Sequence, residues 1–164
     1  MRFEIRQRFP APVDEVVELF TDPAFYPTLV GLPKISVPEV VDHRRTGDTV
    51  RIDLRQRYTG DLPSAALAVI DPDKLSWVQQ LEFVLGASSA TSVLVPDHYG
   101  DRFRCSGRYT FTTEGEGGSV RVLEGDVKIK MLLVGGKVEG ALVSGLREHA
   151  EAEAMLVTER LVGD

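Results

Sequence analysis

Hydrophobic and polar positions change period three times along this chain. Phe3, Ile5, Gln7 and Phe9 alternate with Arg2, Glu4, Arg6 and Arg8, the period-two pattern of a half-buried strand. Pro10 ends it. Pro12 then suits a first helical turn, and Asp14 and Glu15 suit the positive end of a helix dipole. Val13, Val16, Val17 and Phe20 form a helical stripe. Asp22-Pro23 breaks this helix and predicts a second short one from Ala24, with Phe25, Tyr26 and Leu29 as its apolar content and Gly31 as its stop.

From Lys34 to Lys130 the pattern is one of short strands. Residues 35–45 and 49–58 flank Arg45-Thr46-Gly47-Asp48, a hairpin connection. Residues 62–70 and 75–84 flank Asp71-Pro72-Asp73-Lys74, a second turn. Residues 87–95 and 102–112 flank Asp97-His98-Tyr99-Gly100-Asp101, and a last strand covers 119–130. Consecutive strands joined by short turns predict an antiparallel meander. In the last strand Val120 and Val122 lie on one parity, while Leu123, Val127 and Ile129 lie on the other. A bulge near Glu124-Gly125 would reconcile the two.

The period changes again at the end. Val134, Val138, Ala141, Leu142, Gly145, His149, Ala152 and Leu156 make one stripe of a long helix over 134–162. A terminal helix after a run of strands lays its apolar face on their sheet. Gly140 and Gly145 inside it each cost about 1 kcal/mol relative to alanine. A helix that carries this cost either approaches the sheet closely or leaves space beneath it. The large sheet-side residues and inward polar groups favour space. The class predicted is α+β: a curved antiparallel sheet of seven or eight strands, two short helices after strand 1, and one long C-terminal helix across the sheet. The 164 residues read as a single domain over 1–164.

Composition narrows the function classes. A formal net charge of −6 leaves no global positive field for nucleic acid, and His43-Arg44-Arg45 reads as a solvated hairpin tip. No apolar run approaches the roughly 20 residues that span a bilayer, so no integral membrane association is expected. The first residues form a strand pattern and lack the apolar core of a signal peptide. The lone Cys105 excludes an internal disulfide, and together these point to the cytoplasm. No heptad run or exposed apolar face marks an oligomer interface.

Motifs for nucleotide, metal and nucleophile chemistry are missing. There is no GxGxxG, no GxxxxGK[ST] and no GxSxG. Gly135-Gly136-Lys137 lacks the upstream glycine of a phosphate loop and serves the turn from strand into helix. His43, His98 and His149 lack paired-ligand spacing, and Ser144 and His149, five apart on a helix, face different directions. No catalytic residue, metal or cofactor is expected.

What remains is a set of polar residues on inward parity: Gln7, Gln56, Gln79 and Tyr109 on strands, and His149 in the helix stripe. Buried without partners, each would cost roughly 1–3 kcal/mol. A cavity holding water or ligand would accommodate them. Core packing is the simpler role for Trp77, Phe83, Tyr109 and Phe111, and a hydrogen bond to Glu153 one turn later is the simpler role for His149.

FPAPVDEVVELFTDPAFYPTLV resembles the first strand and paired helices of the START/Bet v 1-like helix-grip superfamily, which includes polyketide cyclase-like proteins. VKIKMLLVGGKVEGAL resembles its last strand entering the terminal helix. Within that superfamily the chain is most similar to the actinobacterial DUF2505 family. The resemblance implies a cavity for an apolar or amphipathic small molecule. It carries no catalytic motif onto named residues here.

The function expected is therefore carriage or binding of a hydrophobic small molecule such as a lipid, isoprenoid or polyketide. Tyr58, Trp77, Phe83 and Tyr109 would form its wall, and Val138, Leu142 and Leu146 its roof. Phe25, Tyr26 and Leu29 would sit near one mouth, with Gln56, Gln79 and His149 orienting a polar end. Two alternatives stand beside it. One is a cyclase or dehydratase that uses pocket tyrosines and His149. The other is a protein-interaction module with a collapsed cavity.

Overall fold

The computed structural model describes residues 1–163. Seven strands form one antiparallel sheet: β1 (Arg2–Phe9), β2 (Glu39–Thr46), β3 (Thr49–Arg57), β4 (Ser76–Val84), β5 (Ser89–Pro96), β6 (Phe103–Glu114) and β7 (Gly118–Ile129). Their spatial order is β1-β7-β6-β5-β4-β3-β2. The meander runs as the turns predict, and β1 docks beside the last strand. Helix α1 (Val13–Thr21) buries Val16, Val17 and Phe20, the stripe its sequence specifies. Helix α2 (Gly135–Val162) lies against β1 and β7.

The sheet is strongly bent. Side chains from β1 and β3 border one small cavity, although five strand spacings separate those strands in the sheet. Laid flat at ~4.8 Å per spacing, they would stand about 24 Å apart. Curling of the ladder around α2 brings them together.

Four local expectations are corrected. Residues 62–70 form no strand. They make a loop with a single 3₁₀ turn at Ala66–Ala68, and β3 pairs directly with β4. Pro63 accepts hydrogen bonds from the Ala66 and Leu67 amides and starts a turn. The alanines that follow favour strands weakly. The second short helix shrinks to one 3₁₀ turn, Tyr26–Thr28, and β2 begins at Glu39, with Ile35 joined to the sheet by an isolated bridge to Tyr58.

The fourth concerns β7. It pairs without a register shift from Arg2↔Asp126 to Phe9↔Ser119 on one side and from Phe103↔Ile129 to Glu114↔Gly118 on the other. The shift lies instead between Val40 and Asp42 of β2. Gly125 is there for space: a Cβ would stand 2.9 Å from two ring carbons of Phe3. With no bulge, Arg121 shares the inward parity of Leu123, Val127 and Ile129.

The core consists of two clusters. One gathers α1 residues with Phe25, Ile52, Leu54, Phe83, Phe111 and Val157. The other gathers Phe3, Ile5, Tyr58, Trp77, Phe103, Val127, Val138 and Leu142. The space of interest lies between them.

Candidate functional site

A cavity of about 90 Å³ separates the two clusters. Strand periodicity decides what borders it. Ile5 and Gln7 come from β1, Leu54 and Gln56 from β3, Tyr109 and Phe111 from β6, and Arg121 and Leu123 from β7. In each pair the residues are two apart and so face the same side. Leu146, His149, Ala150 and Glu153 come from α2 at helical spacing. A smaller, wholly apolar chamber of about 20 Å³ adjoins it and shares Ile35, Trp77, Leu94 and Leu146.

One wall carries a buried polar cluster. Arg121 forms an ion pair with Glu153 through Nη2, and its Nε donates to Gln7 Oε1 at 2.8 Å. Gln7 Nε2 donates in turn to the Ala150 carbonyl at 2.7 Å and to Glu153 Oε1 at 3.0 Å. The guanidinium stacks over the Phe20 ring, with Cζ 3.8 Å from its centre, and lies 4.9 Å from that of Tyr109. Burial by itself would push the Glu153 carboxyl up. The Arg121 charge, aided by His149 and the Gln7 hydrogen bond, outweighs it and holds the carboxyl below the ordinary range.

The other polar groups are mostly tethered. Trp77 Nε1 donates to Gln56 Oε1 at 3.2 Å, and Gln79 Nε2 donates to Ser92 Oγ at 2.9 Å. Tyr26 donates to the Phe20 carbonyl at 2.5 Å. Burial raises the Tyr109 phenol, opposed by the nearby Arg121 charge. His149 Nδ1 lies 3.0 Å from the Pro33 carbonyl, which leaves Nε2 as its other polar atom. The expected bond from His149 to Glu153 is absent, because Glu153 is taken by Arg121 and Gln7.

The expected lining residues divide into three groups. Tyr26, Leu29, Gln56, Trp77, Gln79, Phe83, Tyr109, Leu146 and His149 all border the main cavity. Tyr58 and Leu142 border only the smaller chamber. Phe25 and Val138 border neither. Phe25 packs edge-on against Phe20, its ring centre 5.3 Å away, in the first cluster. Val138 is buried in the second.

Tyr58 also decides the question of helix approach. A Cβ on Gly145 would stand 2.9 Å from Tyr58 Cε2, so Gly145 provides close contact, and the space lies further along α2. A bulge that brings both parities of β7 to one face hides Arg121 from a reading of the sequence, and β7 has none. The signal of Arg121 was a lone arginine on the parity of Leu123, Val127 and Ile129, with Glu153 available on the opposing helix.

Among the described residues no cluster of His, Cys, Asp and Glu could hold a metal ion, and no helix is long and apolar enough to cross a membrane.

Solved structures share this architecture. The chain is similar to the Zhui aromatase/cyclase from Streptomyces sp. R1128 (TM-score 0.67, 16% identity, covering 99% of this chain and 95% of that one). It is also similar to a START superfamily protein from Mycobacterium smegmatis (TM-score 0.61, 16% identity, 98% of each chain). A third likeness is to norcoclaurine synthase from Thalictrum flavum (TM-score 0.62, 16% identity, 97% of this chain and 87% of that one). At these identities the likeness is one of fold: the α+β helix-grip of the START/Bet v 1-like superfamily. No curated protein matches the sequence. The family model described as "Protein of unknown function (DUF2505)" spans residues 4–161, and the chain belongs to that family.

Proposed function

We propose that this chain binds a small, largely apolar molecule with an uncharged hydrogen-bonding end, held between the sheet and α2. The observation that carries this reading is the cavity between two apolar clusters, with one polar wall. Arg121 and Glu153 neutralise one another there. A charged guest would have to be desolvated without a free counter-ion, which is costly. A hydroxyl or carbonyl can hydrogen-bond to the rim of the Arg121–Gln7–Glu153 cluster without that penalty.

Size limits the guest. The cavity is well below the ~300 Å³ at which pockets for drug-sized ligands begin. A guest near the size of one ring is therefore favoured, and a sterol-, lipid- or polyketide-sized one requires α2 to move away from the sheet. Native mass spectrometry of protein purified without detergent, followed by extraction of bound small molecules and titration with apolar dyes, tests the reading. Retained guest or saturable dye binding supports it. No bound species and no saturable binding favours the collapsed interaction module.

A second reading rests on Tyr109, His149 and Glu153, which border one cavity and could move protons for a cyclase or dehydratase reaction. Because Tyr58 borders only the other chamber and the Tyr26 hydroxyl is given to the Phe20 carbonyl, the phenol available for such chemistry is Tyr109.

A further inference from the structure

We infer that the connection between β7 and α2 docks on an anionic lipid bilayer. Leu132 and Leu133 are consecutive and 91% and 90% exposed. A loop of a folded domain rarely presents two leucines fully to water side by side. Leu133 moreover has φ +71°, a left-handed conformation that a branched residue seldom adopts without a constraint. Its outward presentation is thus built into the backbone at a conformational cost.

Cations flank the pair along the chain and across the adjoining β6–β7 ladder, in an otherwise acidic chain. Arg102, Arg104, Lys128, Lys130 and Lys137 are all exposed. Arg104 stands directly across from Lys128 in the β6–β7 register, a like-charge pairing that opposes sheet stability. Lys130 joins the same cluster, its amide donating to the Arg102 carbonyl at 2.7 Å. Nearby carboxylates leave these charges largely uncompensated. Asp126 lies 3.3 Å and Glu139 3.6 Å from the Met1 ammonium. Glu139 also accepts from the Ile129 amide at 2.9 Å. Asp101 approaches Arg102 only to 4.0 Å. Among the described residues Arg104, Lys128, Lys130 and Lys137 form no salt bridge.

Leucines on a tip ringed by flexible cations match a bilayer surface, which takes the apolar side chains below its headgroups and pairs its phosphates with the lysines. Two exposed leucines alone cannot supply the roughly 800 Å² per partner that a stable protein interface buries. A bilayer also needs no matching pocket. The same end of the sheet carries the 62–75 loop, where Leu67 and Val69 are half exposed. It also holds Phe103, a wall of the smaller chamber, so docking would bring that chamber close to the lipid.

Co-sedimentation with phosphatidylcholine vesicles, with and without phosphatidylglycerol, tests this. The full chain should bind the anionic vesicles, less so as salt is raised. Leu132→Ser combined with Leu133→Gly should weaken binding about tenfold or more. Thermal stability should hold or rise, since glycine takes the positive φ freely. The triple variant Lys128→Ser, Lys130→Ser, Lys137→Ser should lose the salt-sensitive part. Absence of binding to anionic vesicles at low salt would overturn the inference. So would unchanged vesicle binding by the leucine variant, or a loss of self-association on sedimentation without any loss on vesicles.

Discussion

Arg121 of β7 and Glu153 of α2 meet inside the protein, in an ion pair that joins the bent sheet to the helix it encloses. Gln7 of β1 bonds to both. Three elements separated by most of the chain are thereby tied at the cavity wall. The pair also redirects the buried stripe of α2. The apolar pattern continues from His149 to Ala152 and Leu156, whereas the buried line continues to Glu153 and Val157.

Breaking this pair from one side leaves a charge stranded in the interior. Arg121→Met or Glu153→Leu alone should destabilise by about 3–5 kcal/mol. The double variant should cost clearly less than the sum of the two. Urea unfolding of the four proteins measures the coupling, and strict additivity would rule out the buried pair.

Acid should act through the same carboxyl. The folded-state pKa of Glu153 lies below its ordinary 4.5. The ion pair therefore contributes stability fully above that value, and the contribution is lost as pH falls toward the folded pKa. The urea midpoint of the wild type should drop more steeply below about pH 4.5 than that of Glu153→Gln. Parallel pH profiles would refute this.

The glycines of α2 should respond with opposite signs. At Gly140 the nearest atom to an added Cβ is Met1 Cε at 3.8 Å, so Gly140→Ala should gain about 0.5–1 kcal/mol. At Gly145 the Cβ would lie 2.9 Å from Tyr58 Cε2 and 3.4 Å from Lys34 Cβ. Gly145→Ala should lose about 1–3 kcal/mol despite the better propensity. Thermal melts of the two variants make the comparison.

Filling the cavity should abolish guest binding and leave the fold intact. Ala150→Leu adds volume from the helix side, and its backbone carbonyl remains available to Gln7. Circular dichroism should be unchanged while saturable dye binding disappears. Dye binding that survives the substitution would place the guest elsewhere. Tyr109→Phe separates the two functional readings: a carrier keeps binding within severalfold, and an enzyme of the second kind loses turnover.

Cys105 should be silent in the native state. Burial pushes its thiol up to about 12, and little thiolate forms at neutral pH. Labelling by a disulfide reagent should follow global unfolding, at a rate that falls with added guest. Rapid labelling of the folded protein would contradict this burial.

Periodicity alone was enough for the order of elements, the meander and the closing helix. Each is a local pattern: alternation gives strands, the 3.6-residue repeat gives helices, and Gly, Pro and Asp mark the turns. It was also enough to identify Gln56, Gln79, Tyr109 and His149 as inward polar residues, because parity determines facing. Periodicity misread residues 62–70, whose apolar content hid a proline turn, and the facing of β7. Tertiary structure alone decided which inward groups meet. Arg121, Gln7 and Glu153 become partners only because the sheet bends through five strands to enclose α2. The energy of a buried charge depends on what stands opposite it, and a one-dimensional pattern carries no information about that neighbour.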